Sequence, residues 1–381
     1  MSSKICSRCI YDDSVSMIYF DDKGICNYCH QIEELKTIYG TGEEKGKKIF
    51  LEIVNKIKTH GKNKKYDIIV GVSGGVDSSY MLYLAKKYGL RPLAVHYDNT
   101  WNTSIATQNI KKITSTLNID LLTHVVNNKE IDDIYIAFLK AGVSEIDAST
   151  DLGLAETLYR AAKKYNIKYI FEGHSFMEEG ITPLGKNYFD GRYIKSIHKK
   201  YGSLPMKTYP LMTLTRFLYW TIFKRIKKIR PFWYLNYNKE DAKKMLKQKF
   251  DWEDYGGHHL ENRMAAFCHS VYWPKKFKVD YRNNNLSAMV RNGKINREEA
   301  LSIYKSEPPL EHNLLKYFKE RLNLSDAQFD HIMKQPLKYW NQFPTYKRYF
   351  EFLKPVFYLL AKSNLVPYSF YLKYCFKSQK K

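Results

Sequence analysis

Between residues 66 and 174 the hydrophobic pattern changes its period repeatedly. "YDIIVGV" (66–72), "RPLAVHY" (91–97), "DLLTHVV" (120–126) and "KYIFEG" (168–173) are apolar runs of strand length. Between them, apolar positions recur every three or four residues, which predicts helices over 78–88, 103–117, 129–141 and 152–165. Strands alternating with helices predict an α/β fold, a doubly wound parallel sheet with helices on both faces. Such sheets bind ligands beyond the carboxyl ends of their strands. Here those ends carry residues 73–79, 96–98 and 172–174.

The flanking segments have different patterns. Residues 17–29 read as a hairpin with Asp22, Lys23 and Gly24 at its turn, and 43–60 as a lysine-rich helical connector. Beyond residue 202 aromatic and basic residues mix, and the rest reads as mostly helical. The expected division is 1–42, a cysteine module; 43–202, the α/β domain; and 203–381, a basic helical region making substrate and partner contacts. There is no internal repeat.

Charge and composition narrow the classes. The 381 residues carry 62 Lys and Arg against 39 Asp and Glu, a net charge of +23. That excess suits anionic partners, or a solvated lysine-rich surface. No apolar run reaches the roughly 18 residues of a membrane span. The start, "MSSKICSRC", lacks the apolar core of a signal peptide, so a cytoplasmic chain is expected.

Four of the six cysteines, Cys6, Cys9, Cys26 and Cys29, lie within the first 29 residues as two C-x2-C pairs. This spacing is that of a structural zinc ribbon: four thiolates close a tetrahedral site and leave no open position. Disulfides are the alternative in an oxidising compartment, and an iron–sulfur cluster can use the same ligands.

After the first strand comes Ser73-Gly74-Gly75-Val76-Asp77-Ser78-Ser79, leading into a helix. Backbone N–H groups and a helix N-terminus converge there, a geometry that binds phosphate. Ser73, Ser78 and Ser79 add hydroxyls, and Asp77 is placed to hold Mg²⁺ beside a pyrophosphate. The Gly-Lys-Ser/Thr ending of a Walker A loop is absent.

The string resembles the PP-loop of ATP pyrophosphatases, with their adenine nucleotide alpha hydrolase-like sheet, and "EGHSFMEEG" (172–180) resembles a later signature of that superfamily. The cysteine pairs, "STDLGL" (149–154), "WEDYGGHHLENR" (252–263) and "INREEAL" (295–301) resemble N-acetyl sugar amidotransferases of surface-polysaccharide, lipopolysaccharide and glycan biosynthesis. The resemblance runs to about residue 310. It implies that ATP adenylates the acetamido oxygen of an N-acetylated, nucleotide-linked sugar, and that ammonia then forms an acetamidino group. It implies the cofactors ATP, Mg²⁺ and Zn²⁺. Catalytic roles fall on Asp77, Asp151, His174 and Glu178; nucleotide contacts on Ser73, Gly74, Gly75, Asp77, Ser78, Ser79, His96 and Asp98. Sugar contacts fall on His258, His259, Glu261 and Arg263.

Cys268 and Cys375 lack the setting of a glutaminase nucleophile. Ammonia is therefore expected from a separate glutaminase subunit, paired in the resembling family with a cyclase-like barrel as in imidazole glycerol phosphate synthase. The alternative is a PP-loop tRNA thiolase, which +23 would suit; residues 30–267 lack the cysteines such enzymes generally carry, so nucleic acid is not the expected partner. The aromatic stretch 211–223 with its basic flank "KRIKKIR" (224–230) is a candidate for peripheral contact with an anionic membrane, or for a core or partner-binding helix.

Overall fold

The computed structural model describes residues 4–181, 187–257, 260–363, 365–366 and 368–376. After α1 (Asn27–Tyr39) and α2 (Glu44–Gly61), the chain alternates as β1 (Ile68–Gly71), α3 (Val76–Lys87), β2 (Pro92–Asp98), α4 (Ser104–Thr116) and β3 (Leu121–Val125). Helices α5 (Asn128–Ala141) and α6 (Ala148–Lys164) lead to β4 (Tyr169–Phe171). Then follow α7 (Phe176–Glu179), α8 (Gly191–Tyr201), α9 (Leu214–Leu218), β5 (Lys227–Ile229) and α10 (Lys239–Phe250). The remainder is helical: α11 (Arg263–Phe267), α12 (Arg282–Arg291), α13 (Arg297–Lys305), α14 (Leu314–Arg321), α15 (Asp326–Lys334), α16 (Lys347–Phe352), α17 (Lys354–Lys362) and α18 (Tyr368–Tyr374).

The five strands form one parallel sheet in the order β3-β2-β1-β4-β5. Strand alternation assigns the two faces. Ile68, Val70 and Val72 meet Phe50, Val54 and Ile57 of α2, Leu82 of α3 and Leu246 of α10. Ile69, Leu93 and Val95 meet Leu158, Tyr159 and Ala162 of α6 and Trp220. Burial on both faces is why these strands read as near-continuous apolar runs. The chain direction across the sheet reverses between β1 and β4, and ligands of such sheets bind at that crevice.

Two expectations change. α6 starts at Ala148, four residues before the expected 152. The polar run 149–151 looks like a loop, but Asn99 Nδ2 and Tyr135 Oη meet the Thr150 hydroxyl at 3.2 and 2.7 Å inside the protein. The boundary at 202 also cuts one sheet in two, since β5 pairs with β4. β5 was hidden because it is lysine-bearing; Lys228 Nζ lies 2.6 Å from the carboxylate of Glu172. In the stretch 211–223, Met212, Trp220 and Thr221 are buried, and Trp220 Nε1 donates to Glu156 Oε2 at 2.8 Å. Among the described residues no helix is long and apolar enough to cross a membrane.

Candidate active site

The loop after β1 is built around its own side chains. Ser78 Oγ donates to Gly75 O at 3.1 Å and accepts from Ser73 N at 3.2 Å, while Ser73 Oγ accepts from Gly75 N at 3.3 Å. Gly74 has φ +84°, and a Cβ there would stand 2.1 Å from Ala106 O of α4, so only glycine fits. Its carbonyl accepts from Asn109 Nδ2 and from Trp252 Nε1 at 3.3 and 3.1 Å. Thus α4 and "WEDY" clamp the loop from outside, with the N-terminus of α3 pointing into the crevice. That arrangement suits a phosphate chain.

Charged groups from four segments converge on it. Asp77, in the first turn of α3, accepts from Tyr237 Oη at 2.5 Å and from Lys239 Nζ at 2.7 Å. Lys239 Nζ also lies 3.8 Å from Glu179 Oε1. Glu261 is brought in by a bridge between Asn102 and Asn262 and by Thr103 N donating to its carbonyl at 2.9 Å. A Cβ on Gly75 would lie 3.1 Å from Glu261 Oε1. Burial, with Asp77 nearby, pushes Glu179 up to about 8. Burial likewise pushes Glu261 up to about 7. Three carboxylates approach one ammonium, an excess of negative charge that a hard divalent cation would relieve. Among the described residues, however, only the four N-terminal cysteines bring their ligand atoms within reach of a single ion, so these acids form no preformed cation site.

Further along the crevice, Lys228 and Arg230 hold Glu172 down to about 2 although burial alone would raise it. Water reaches Asp151, yet the surrounding protein, followed by the charge of Asp147, pushes it up to about 7. His174 Nδ1 accepts from Trp233 Nε1 at 3.2 Å, which leaves the ring proton on Nε2, 3.9 Å from Glu179. Burial, then the positive charge of Arg230, pulls its pKa down to about 3. Its contacts to Trp233 and Glu179 fit the strand-end role that is the alternative to proton transfer.

Other expected roles change as well. Both oxygens of Glu178 accept from Lys294 Nζ, at 2.7 and 2.6 Å. This carboxylate is therefore neutralised, and its neighbour Glu179 faces the loop. His96 is buried with both nitrogens engaged: Nδ1 lies 2.8 Å from Val72 O and Nε2 3.1 Å from Asn102 Nδ2. Asp98 Oδ1 accepts from Thr100 N at 2.7 Å and shapes the strand-end turn. His96 thus has no ring nitrogen left for a nucleotide, whereas half-buried Asp98 spends one carboxylate oxygen on its turn. The Arg263 guanidinium stacks on Tyr317 at 4.3 Å and lies 3.7 Å from the half-exposed Glu311. Ser79 is buried. His258 and His259 lie outside the described residues. Sequence reasoning assigned no role to Glu179, Tyr237 or Lys239, nor individually to Trp252 and to Tyr255, whose Oη accepts from Val76 N at 3.4 Å; the acid doublet 178–179 and the run 252–263 were the usable signals.

The four N-terminal cysteines are buried, with their Sγ atoms all within 4.8 Å of one another. Cys6 and Cys29 are 4.0 Å apart, and Cys9 and Cys26 3.9 Å, so none is disulfide-bonded. Backbone N–H groups of Arg8 and Cys26 donate to Cys6 Sγ at 3.4 and 3.2 Å. The Arg291 guanidinium is buried, and Tyr11, Cys9 and Cys29 hold its pKa above the ordinary value, Cys29 also by hydrogen bonding. A buried cation beside four sulfurs fits an anionic tetrathiolate metal centre.

Residues 261–356 match the family described as LPS biosynthesis protein WbpG-like, C-terminal domain. This match supports the resemblance drawn from the sequence. No curated protein matches the chain. Among solved structures, it is similar to NMN synthetase from Francisella tularensis, with 15% identity over 75% of this chain and 95% of that one, TM-score 0.33. An NH3-dependent NAD synthetase from Campylobacter jejuni overlaps at 14% identity, covering 77% and 98%, TM-score 0.31. The U34-tRNA thiolase NcsA from Methanococcus maripaludis, with its [4Fe-4S] cluster, overlaps at 13% identity, covering 82% and 91%, TM-score 0.31.

Proposed function

We propose that this chain is a sugar-biosynthesis ligase of PP-loop type that converts an acetamido group of an N-acetylated sugar, carried on a nucleotide, to an acetamidino group. One observation carries the reading. Glu261, the first residue of the segment that matches the LPS biosynthesis family, stands against Gly75 of the phosphate loop.

The chemistry follows from an unreactive amide. The acetamido oxygen attacks the α-phosphorus of ATP and pyrophosphate leaves; ammonia then adds to the activated carbon, loses a proton, and AMP departs. The loop amides and the N-terminus of α3 hold the leaving pyrophosphate, and Lys239 meets its growing charge. Mg²⁺ arriving with ATP would neutralise phosphate oxygens, with Asp77 the loop carboxylate that would meet it. Asp151, at about 7, has a proton affinity suited to taking the proton of the attacking nitrogen near neutral pH. The thiolate spacing supports zinc at the four cysteines: with Zn–S about 2.3 Å a tetrahedron has edges of roughly 3.8 Å.

Ammonia comes from a separate glutaminase, with a cyclase-like barrel as its companion. Support comes from the two remaining cysteines: burial pushes Cys268 well above its ordinary value and Cys375 up to about 11. Neither is an activated nucleophile, which equally disfavours sulfur transfer to tRNA. The test is turnover of the purified chain with an N-acetyl sugar, MgATP and ammonium. AMP, pyrophosphate and an amidine product are expected, with no turnover on glutamine. ADP and phosphate as products, or thiolation of tRNA, would overturn the reading.

A further inference from the structure

Helices α16 and α17 run almost as one: Leu353 N donates to Tyr349 O at 2.9 Å and Phe357 N to Leu353 O at 3.0 Å, carrying the helical ladder through the joint. The inner side of this unit is a core. Phe350, Phe357, Leu360 and Ala361 are buried against Val366, Tyr371 and Tyr374. The outer side is apolar too. Phe352 is 83% exposed, Leu359 66% and Val356 39%, at helical spacings of four and three residues. A helix apolar on both sides within a folded chain leaves one stripe without a partner among the described residues. Phe223, 75% exposed, lies on the turn whose Ile222 packs into the same core.

The charge around the stripe says what covers it. From residue 331 onward the sequence holds ten lysines and arginines and a single acid, Glu351, whose carboxylate lies 3.8 Å from Lys347 Nζ. Arg348 precedes Phe352 by four residues and Lys362 follows Leu359 by three, and both are exposed. Cations therefore stand at both ends of the stripe. Tyr349, Tyr358 and Tyr368 are exposed nearby, amphipathic rings of the kind that sit at a membrane–water interface.

We propose that the α16–α17 face is a docking surface for an anionic lipid bilayer. Phe352, Val356 and Leu359 enter the headgroup–acyl boundary, and Arg348 and Lys362 meet acidic headgroups. A second copy of the chain is disfavoured, because pairing two such faces would bring their cations together. Nucleic acid would use the cations but leave the aliphatic side chains of Val356 and Leu359 without a role. The stripe lies on different elements from the phosphate loop, so docking neither requires nor tests the chemistry proposed above.

Vesicle flotation of the full chain decides it, using phosphatidylcholine alone and phosphatidylcholine with phosphatidylglycerol. The chain should float with the mixed vesicles and not with phosphatidylcholine alone. The double variant Phe352→Ser/Leu359→Ser should bind at least about tenfold more weakly, and Arg348→Glu/Lys362→Glu should lose binding to a similar degree. All four side chains are exposed, so unchanged thermal melting is expected and separates lost docking from lost folding. Absence of flotation with mixed vesicles would overturn the proposal. So would flotation that the Phe352/Leu359 variant leaves intact, since charge alone would then explain it. A wild-type dimer that the same variant dissociates, without vesicle binding, would overturn it in favour of a contact between copies.

Discussion

Asp77, Glu179 and Glu261 share the ammonium of Lys239, and that imbalance makes the site sensitive to pH. Glu179 and Glu261 hold their protons up to about 8 and about 7, against an ordinary value of 4.5. Across that window the native state binds more protons than the unfolded chain, so stability falls as pH rises. The melting temperature without nucleotide should therefore decline between pH 5 and pH 8. The shift produced by MgATP should grow over the same range, because the cation relieves the repulsion. A MgATP shift independent of pH would show that these carboxylates do not meet the metal. Asp77→Asn should lower ATP–pyrophosphate exchange by about 100-fold. It should leave a folded protein, because the amide oxygen still accepts from Tyr237 or Lys239; unfolding seen by circular dichroism would instead make Asp77 structural.

At the scale of elements, glycine and arginine at two junctions set the geometry. The Gly74 turn lets α4 press its backbone against the phosphate loop. Gly74→Ala should cost about 1–3 kcal/mol from backbone strain alone, with steric overlap added, as read by urea denaturation. Arg291 ends α12 beside the four sulfurs, and its neighbour α13 begins with Arg297, whose Nε donates to Cys6 O and Cys9 O at 3.0 and 3.2 Å. Removing the guanidinium charge in Arg291→Met should weaken zinc affinity about 10- to 100-fold in chelator competition, as loss of other outer-shell groups does. Unchanged affinity would mean that the charge of the tetrathiolate centre is balanced elsewhere.

Across the whole molecule, one segment joins the four-cysteine module to the crevice at the loop after β1. Between Arg291 and Arg297, Asn292 Nδ2 donates to Met177 O at 2.6 Å and Lys294 holds Glu178. Stripping the metal should therefore loosen residues 174–180, read as faster amide hydrogen exchange there, together with loss of ATP–pyrophosphate exchange. Protection unchanged at 174–180 would separate the two centres. The alternation of strands and helices, the gathering of the two cysteine pairs and the glycine turn between β1 and α3 were all legible in the sequence. Each is written within a short span: a period of two or of 3.6, a C-x2-C spacing, a glycine pair between strand and helix. What the sequence could not supply was which side chains meet across the crevice. Tyr237 and Lys239 reach Asp77 across 160 and 162 residues, and Lys294 reaches Glu178 across 116. Glu178 and Glu179 are adjacent and chemically alike, yet one closes on a lysine and the other faces the loop. The run 224–230 reads as a basic flank, and the partner that lets it enter the sheet, Glu172 against Lys228 and Arg230, comes from another strand end. Local pattern determines the elements because their hydrogen bonds are local. Side-chain pairing and charge depend on burial and on long crossovers, and only the folded chain decides those.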